Sequence, residues 1–120
     1  MFAFPKIEHL LRPSDFRRVF ARRRSVSDDS LIVYACENGL AHLRLGLSVS
    51  RKVGPAVVRN RLRRLYREAF RLSRREMPKG LDLVLVPRSN GTPTLEKLKK
   101  SLPRLVTALA GRLEREQKKS

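Results

Sequence analysis

The stretch from Arg51 to Arg75, RKVGPAVVRNRLRRLYREAFRLSRR, carries ten basic residues and one acid, Glu68, on a segment whose apolar residues recur with a helical period. Val58, Leu62, Leu65, Tyr66 and Ala69 fall at i, i+4, i+7, i+8 and i+11 and form one stripe, with Phe70 on its margin. Such a stripe must be buried, so the segment is predicted to be an α-helix laid against a core. Arg59, Arg63, Arg67 and Arg71 follow one another at i+4 steps on the other side, flanked by Asn60 and Arg64. Like charges at this spacing destabilise an isolated helix by roughly 0.2–0.5 kcal/mol per pair, and an ordinary solvated face mixes signs to avoid that cost. The segment holds a net +9 of the chain's formal +17, within a total length of 120 residues. Charge this concentrated calls for a polyanion, and the planar donor fork of arginine matches phosphate oxygens.

The approach to the helix adds to this. Ser50-Arg51-Lys52-Val53-Gly54-Pro55 leads into it from an alternating strand pattern. Gly54 permits backbone angles closed to other residues, and Pro55 fixes φ just before the helical run. From Ser50 to Arg71 the chain reads S-R-K-V-G-P-A-V-V-R-N-R-L-R-R-L-Y-R-E-A-F-R. This resembles the signature of the bacterial ribonuclease P protein subunit, including its Arg59-Asn60-Arg61 triplet. A weaker resemblance extends from Leu11 to about Leu109.

Length and composition fit a small RNA partner. A chain of 120 residues supports one modest core, so residues 1–120 are read as a single RNA-binding domain with flexible ends at 1–10 and 113–120. There is no apolar run long enough to span a bilayer. The first residues, MFAFPKIEHLL, lack the charged start and long apolar stretch of a secretory signal, and a cytoplasmic location is expected. The single cysteine, Cys36, lies in an apolar strand pattern and is read as a buried thiol.

The remaining elements follow from pattern. A first helix is predicted from Asp15 to about Arg24, capped by Ser14, with Phe16, Val19 and Phe20 on one face. Leu31 to Glu37 alternates as a strand and Asn38-Gly39 reads as a turn, so Leu43 to Ser50 is expected to pair back on it as an antiparallel hairpin. In that second strand Leu43, Leu45, Leu47 and Val49 point to the core, whereas Arg44, Gly46, Ser48 and Ser50 leave the other face small and polar. Leu81 to Val86 is apolar except for Asp82, as a central strand covered on both sides should be. A last helix begins near Thr92-Pro93-Thr94, with proline in its first turn; Pro103 is expected to bend or interrupt it, and the chain beyond Arg112 to fray.

The strand, basic helix and next strand form a crossover, which pattern alone predicts to be right-handed, as about 98% of such connections are. The family resemblance implies instead a small single-domain α+β fold. It is an α/β sandwich resembling the second domain of ribosomal protein S5, with a left-handed crossover at the basic helix.

Aromatic residues suggest a second site. Phe16 and Phe20 lie one helical turn apart, and Tyr34 shares a strand face with Ile32 and Cys36. On pattern alone these phenylalanines are ordinary helix core. The resemblance reverses that order: in this family the cleft between the first helix and the sheet holds the 5′ leader of precursor tRNA, and Phe16, Phe20 and Tyr34 match its aromatic positions. Arg17, Arg44, Ser48 and Ser50 are candidate neighbours by strand and helix placement.

No constellation for intrinsic catalysis stands out. His9 and His42 are the only histidines, and Asp15, Asp28, Asp29, Glu37 and Asp82 fall on different elements with no zinc-like spacing. The resemblance therefore implies a binding subunit of ribonuclease P, an endoribonuclease of tRNA 5′ maturation whose RNA subunit carries the chemistry with bound Mg²⁺. Arg51, Lys52, Arg59, Asn60, Arg61, Arg63, Arg64 and Arg67 would grip that RNA, and the aromatic groove would take the leader of precursor tRNA. Ribonuclease P RNA is then an obligate partner, with no membrane and no protein partner implied. The competing expectation is a ribosomal or ribosome-assembly protein, which would share size and charge.

Overall fold

The computed structural model describes residues 8–10, 12–88 and 92–119. Helix α1 spans Pro13–Ala21, strands β1, β2 and β3 span Ser25–Ser27, Leu31–Glu37 and Arg44–Leu47, and helix α2 spans Ala56–Ser73. Strand β4 spans Leu81–Pro87 and helix α3 spans Leu95–Lys118. Short 3₁₀ turns, Arg51–Val53 and Arg74–Glu76, flank α2.

The sheet runs β1-β2-β4-β3, with β3 parallel to β4 and the other neighbours antiparallel. The hairpin expected between β2 and β3 is therefore absent, because β4 lies between them. Strand β4 pairs along its whole length with β2, from Leu31 opposite Pro87 to Glu37 opposite Leu81. It is apolar on both faces and gains most from the interior position, whereas the four-residue β3, with Arg44 and Gly46, suits an edge. The Asn38-Gly39 turn forms, with Gly39 at φ 69°, but it opens into a wide connection. There the Asn38 side chain accepts from the Leu40 N–H at 2.8 Å and donates to the His42 carbonyl at 3.2 Å. The basic helix is thus the crossover between parallel neighbours β3 and β4.

Alternation sorts the sheet into two faces. Leu31, Val33, Ala35, Leu45, Leu81, Leu83 and Leu85 point to a large core closed by α2 and α3. That core takes Leu62, Tyr66, Ala69 and Phe70 from the α2 stripe. Phe70, placed on the margin by periodicity, is fully buried. The Tyr66 hydroxyl has no hydrogen-bond partner among the described residues, and burial pushes its pKa up to about 12, so it stays neutral. On the opposite face, Cys36 and Val84 meet Leu10 and Val19 in a smaller cluster beneath α1.

Both ends of α1 and of α3 differ from expectation, and β3 is shorter than the Leu43 to Ser50 run. Helix α1 starts at Pro13 with Arg12 as its cap residue, so Ser14 lies inside the first turn, where proline is tolerated, and makes no capping bond. It ends at Ala21 rather than Arg24, because Arg23 takes a left-handed conformation at φ 56° and turns the chain into β1, a strand too short to be seen by period. Helix α3 is capped by the Thr94 hydroxyl, which accepts from the Lys97 N–H at 3.2 Å, and Pro93 precedes the cap instead of occupying the first turn. The helix then runs unbroken through Pro103 to Lys118 rather than fraying beyond Arg112. A proline inside a helix, through the lost backbone bond and the ring's clash with the preceding turn, costs about 3 kcal/mol; the buried row Leu98, Leu102, Leu105, Val106, Leu109 and Leu113 offsets it.

Asp82 ties the second face together. Its side chain is fully buried on β4. It accepts from Arg44 Nε at 2.8 Å and Nη2 at 2.7 Å, from Asn38 Nδ2 at 2.9 Å, and from Arg18 Nη2 of α1. Burial alone would raise this carboxyl; the hydrogen bonds from Arg44, Asn38 and Arg18 overcome it and hold the pKa below the ordinary aspartate range. Asp82→Asn should lower stability by about 3 kcal/mol, the lower end for removing one partner of a buried pair, since both guanidinium groups keep some solvent. Because the folded pKa is depressed, the stabilisation is present above the unfolded value of about 3.9 and is lost as pH falls through the folded value. Denaturant titrations should therefore show a weaker acid dependence below about pH 4 in the variant; parallel pH profiles would contradict this role.

Candidate nucleic-acid interface

The basic face begins where β3 leaves the sheet. Gly54 takes φ 152°, a conformation that side-chain-bearing residues rarely adopt, and a Cβ there would lie 3.4 Å from Val58 Cβ in the first turn of α2. Arg59 folds back on this turn, its Nε donating to the Gly54 carbonyl at 3.2 Å. Arg63 donates to Asn60 Oδ1 at 2.9 Å, and Arg71 pairs with Glu68. These contacts fix some arginines along the helix and leave others open. Arg51, Lys52, Arg61, Arg64 and Arg67 are exposed, and none is ion-paired with a carboxylate of the described residues. Arg61 and Arg64 flank a shallow cleft over Leu65 and Glu68. Five uncompensated cations on one turn and one helix produce a strong local positive potential that suits a phosphate backbone.

The aromatic residues gather on the other side of the sheet. Phe16, Phe20 and Tyr34 are all half-buried beside Val86 and the cluster beneath α1. The Phe20 and Tyr34 rings meet edge to face, with centroids 4.9 Å apart and planes at 72°. Phe16 rests on Gly46: a Cβ there would lie 2.7 Å from Phe16 Cζ and 2.8 Å from Cε1. The small residue on β3 is therefore what admits the ring to the sheet. The three aromatics keep partly open faces along one side of α1, which is the arrangement that stacking of unpaired bases requires.

The candidate neighbours of this surface separate. Arg17 is exposed on α1. Arg44 has its donor fork occupied by Asp82, so it serves the fold. Ser48 is half-buried and its backbone N–H donates to the Leu85 carbonyl at 3.0 Å. Ser50 lies on the α2 side, in a cleft with Lys52, Val53, Val58 and Pro87. Arg18, which is not among the site residues read from sequence, is one of the arms holding Asp82 and also donates to the Glu37 carbonyl at 3.2 Å. The signal available for it was the lone acid in the apolar β4 pattern, which needs a cation from somewhere in the fold. His9 is bridged to Leu45 on the edge of β3, and His42 lies in the β2–β3 connection.

The Ribonuclease P family model matches residues 4–110. The chain belongs to the ribonuclease P protein family. Among its relatives, the ribonuclease P protein component of Clostridioides difficile is 40% identical over 105 residues, which is 86% of this chain and 92% of that one. That of Clostridium botulinum is 43% identical over 86 residues, 71% of this chain and 78% of that one. Among solved structures, the RNase P protein of Thermotoga maritima superposes with a TM-score of 0.76 at 32% identity, covering 84% of this chain and 96% of that one. The RNase P protein of Staphylococcus aureus does so with a TM-score of 0.72 at 30% identity, covering 84% and 94%. The four-stranded sheet and three helices described above are thus a ribonuclease P protein fold.

The contact between Phe16 and Gly46 gives a direct test of how this family member holds its aromatic surface. Gly46→Ala should displace the Phe16 ring, costing about 1 kcal/mol of stability by overpacking, while the Phe20–Tyr34 pair stays in place. Aromatic proton shifts of Phe16 report this; an unmoved ring would show that the sheet is not its seat.

Proposed function

We propose that this chain is a single RNA-binding domain acting in the cytoplasm as the protein subunit of a ribonuclease P ribonucleoprotein, which removes the 5′ leader of precursor tRNA. The observation that carries the reading is the division of the surface. A row of uncompensated cations lies on the α2 side of the sheet, and a set of half-open aromatic rings lies on the α1 side. Family membership gives the RNA partner, and the two surfaces give two jobs. Arg51, Lys52, Arg61, Arg64 and Arg67, supported by Arg59, Asn60 and Arg63, dock on the catalytic RNA through its phosphates and reduce repulsion between catalytic RNA and substrate. Phe16, Phe20 and Tyr34 stack the unpaired leader, with Arg17 and Ser48 at the margin. Mature tRNA has no leader and gains nothing from this surface, so precursor is favoured over product.

The hydrolytic step belongs to the RNA. Among the described residues, no group of three or more His, Cys, Asp or Glu side chains is placed to hold a metal ion. Mg²⁺ would be held mainly by the RNA subunit and would supply metal-assisted hydrolysis there, while this chain's residues bind and position.

The reading is tested by reconstitution. The chain alone should leave precursor tRNA intact and should lower the Mg²⁺ concentration that a bacterial ribonuclease P RNA needs for cleavage; cleavage by the protein alone, abolished by His9→Ala or His42→Ala, would overturn it. Phe16→Ala or Tyr34→Ala should weaken binding of leader-bearing tRNA by roughly fivefold or more, the equivalent of one stacked base, with mature tRNA unaffected. An equal loss for both substrates would remove the leader assignment. Arg61→Ala should weaken binding to the RNA subunit and reduce the slope of log affinity against log salt by about one; unchanged affinity and slope would place the docking face elsewhere.

A further inference from the structure

The family match ends at residue 110, yet α3 continues through Lys118, and its last turns touch the far end of α1. Glu116 Oε1 accepts from Arg24 Nε at 2.6 Å, and Glu116 Oε2 is 3.2 Å from Arg22 Nη2. Gln117 Nε2 donates to Glu37 Oε2 at 2.8 Å, and Arg22 Nε donates to Glu37 Oε1 at 3.1 Å. These bonds join α3, β2 and the end of α1 in one ring of side chains. What the ring encloses is the reversal between α1 and β1. Arg22 is the residue that closes α1, Arg23 is the one non-glycine residue with positive φ among those described, and Arg24 begins the return. A left-handed arginine persists only where its surroundings hold it. Here the residues on either side of it are both held by Glu116.

The same reversal sets the position of an aromatic ring. The Arg23 N–H donates to the Phe20 carbonyl at 3.1 Å, and the Arg24 carbonyl accepts from the Ala35 N–H at 3.2 Å, beside Tyr34. Phe20 and Tyr34 form the edge-to-face pair of the aromatic surface. Earlier in α1, Phe16 is seated on Gly46, and in the last turn Arg18 is anchored on Asp82. Val19 and Arg18 hold the last turn of α1 itself, and the arginines that follow, Arg22 and Arg24, are held by the bonds to Glu37 and Glu116.

We infer that Glu116 and Gln117 are positioning residues for leader recognition: the end of α3 clamps the α1–β1 reversal and so keeps Phe20 against Tyr34. This rests on the leader-binding reading above, and it assigns a specificity role to a segment beyond the family match. The clamp acts through α1 and touches no RNA itself. Its loss leaves the α2 face as it is.

The test has a part that needs no RNA. In the free protein, Glu116→Ala should abolish or weaken the Phe20–Tyr34 ring-to-ring nuclear Overhauser effect while the Phe16 ring signals stay in place. In the holoenzyme reconstituted with a bacterial ribonuclease P RNA, the same variant should bind leader-bearing tRNA roughly threefold to tenfold more weakly, part of the loss expected for one stacked base. Affinity for mature tRNA and for the RNA subunit should not change. Glu116→Gln, which keeps an acceptor for one arginine, should retain part of the discrimination. Gln117→Ala, at an exposed position, gives a milder version should Glu116→Ala fold poorly. Equal losses for precursor and mature tRNA, or an intact ring contact with unchanged discrimination, would overturn the inference. If discrimination survives Glu116→Ala but falls in Phe16→Ala, only the clamp is wrong. Should Phe16→Ala and Tyr34→Ala also leave it intact, the leader-binding reading fails and the clamp with it.

Discussion

The Asp82 carboxylate is the point on which the α1 side of this molecule is assembled. It is buried in the middle strand, where an unpaired charge would be untenable, and it is stabilised only because three elements bring donors to it: Arg18 from α1, Asn38 from the β2–β3 connection, and Arg44 from the edge strand. Each arm fixes something else. Arg18 sets the height and angle of α1 over the sheet. Asn38 shapes the connection that lets β4 enter between β2 and β3. Arg44 holds β3 at the edge of β4 and, two residues on, Gly46 opens a seat for Phe16. The aromatic surface is thus built on a charged contact that is itself removed from solvent.

The other side of the sheet follows a different logic. There the core is mainly apolar, with Leu62, Tyr66 and Phe70 of α2 and the long row of α3 closing over the leucines of β2, β3 and β4. Because so much apolar area is buried, α2 tolerates arginines along its outer side whose mutual repulsion would disfavour the helix in isolation. Helical stability comes from packing, which frees the solvent face to be selected for charge. The two sides therefore divide the protein's work. One spends packing energy on presenting cations, and the other spends ionic contacts on positioning rings.

Much of this was legible in the chain. The stripe of α2, the core face of β3 and the central character of β4 all came from period and composition, and the long Ser50–Arg71 motif pointed to the family that the comparisons show. What failed were the statements that depended on distant partners. Asn38-Gly39 is a sound turn signal, but it cannot reveal that a strand more than forty residues later inserts between its flanking segments, as β4 does from Leu81. Pro103 is a sound breaker signal, but the cost it measures is local and the burial that outweighs it is not. Arg44 and Arg18 look like any surface arginines in a basic chain; only their approach to Asp82 makes them structural.

By itself, then, the sequence determined where the longer helices and strands lie, which of their faces are apolar, and that one helix carries charge suited to a phosphate backbone, because these properties are written in residues a few positions apart. The tertiary structure alone decided the strand order, which arginines are neutralised and which remain open, and that the end of α3 reaches the turn behind Phe20. Those outcomes rest on contacts between residues tens of positions apart, whose energies exist only once the chain has closed on itself.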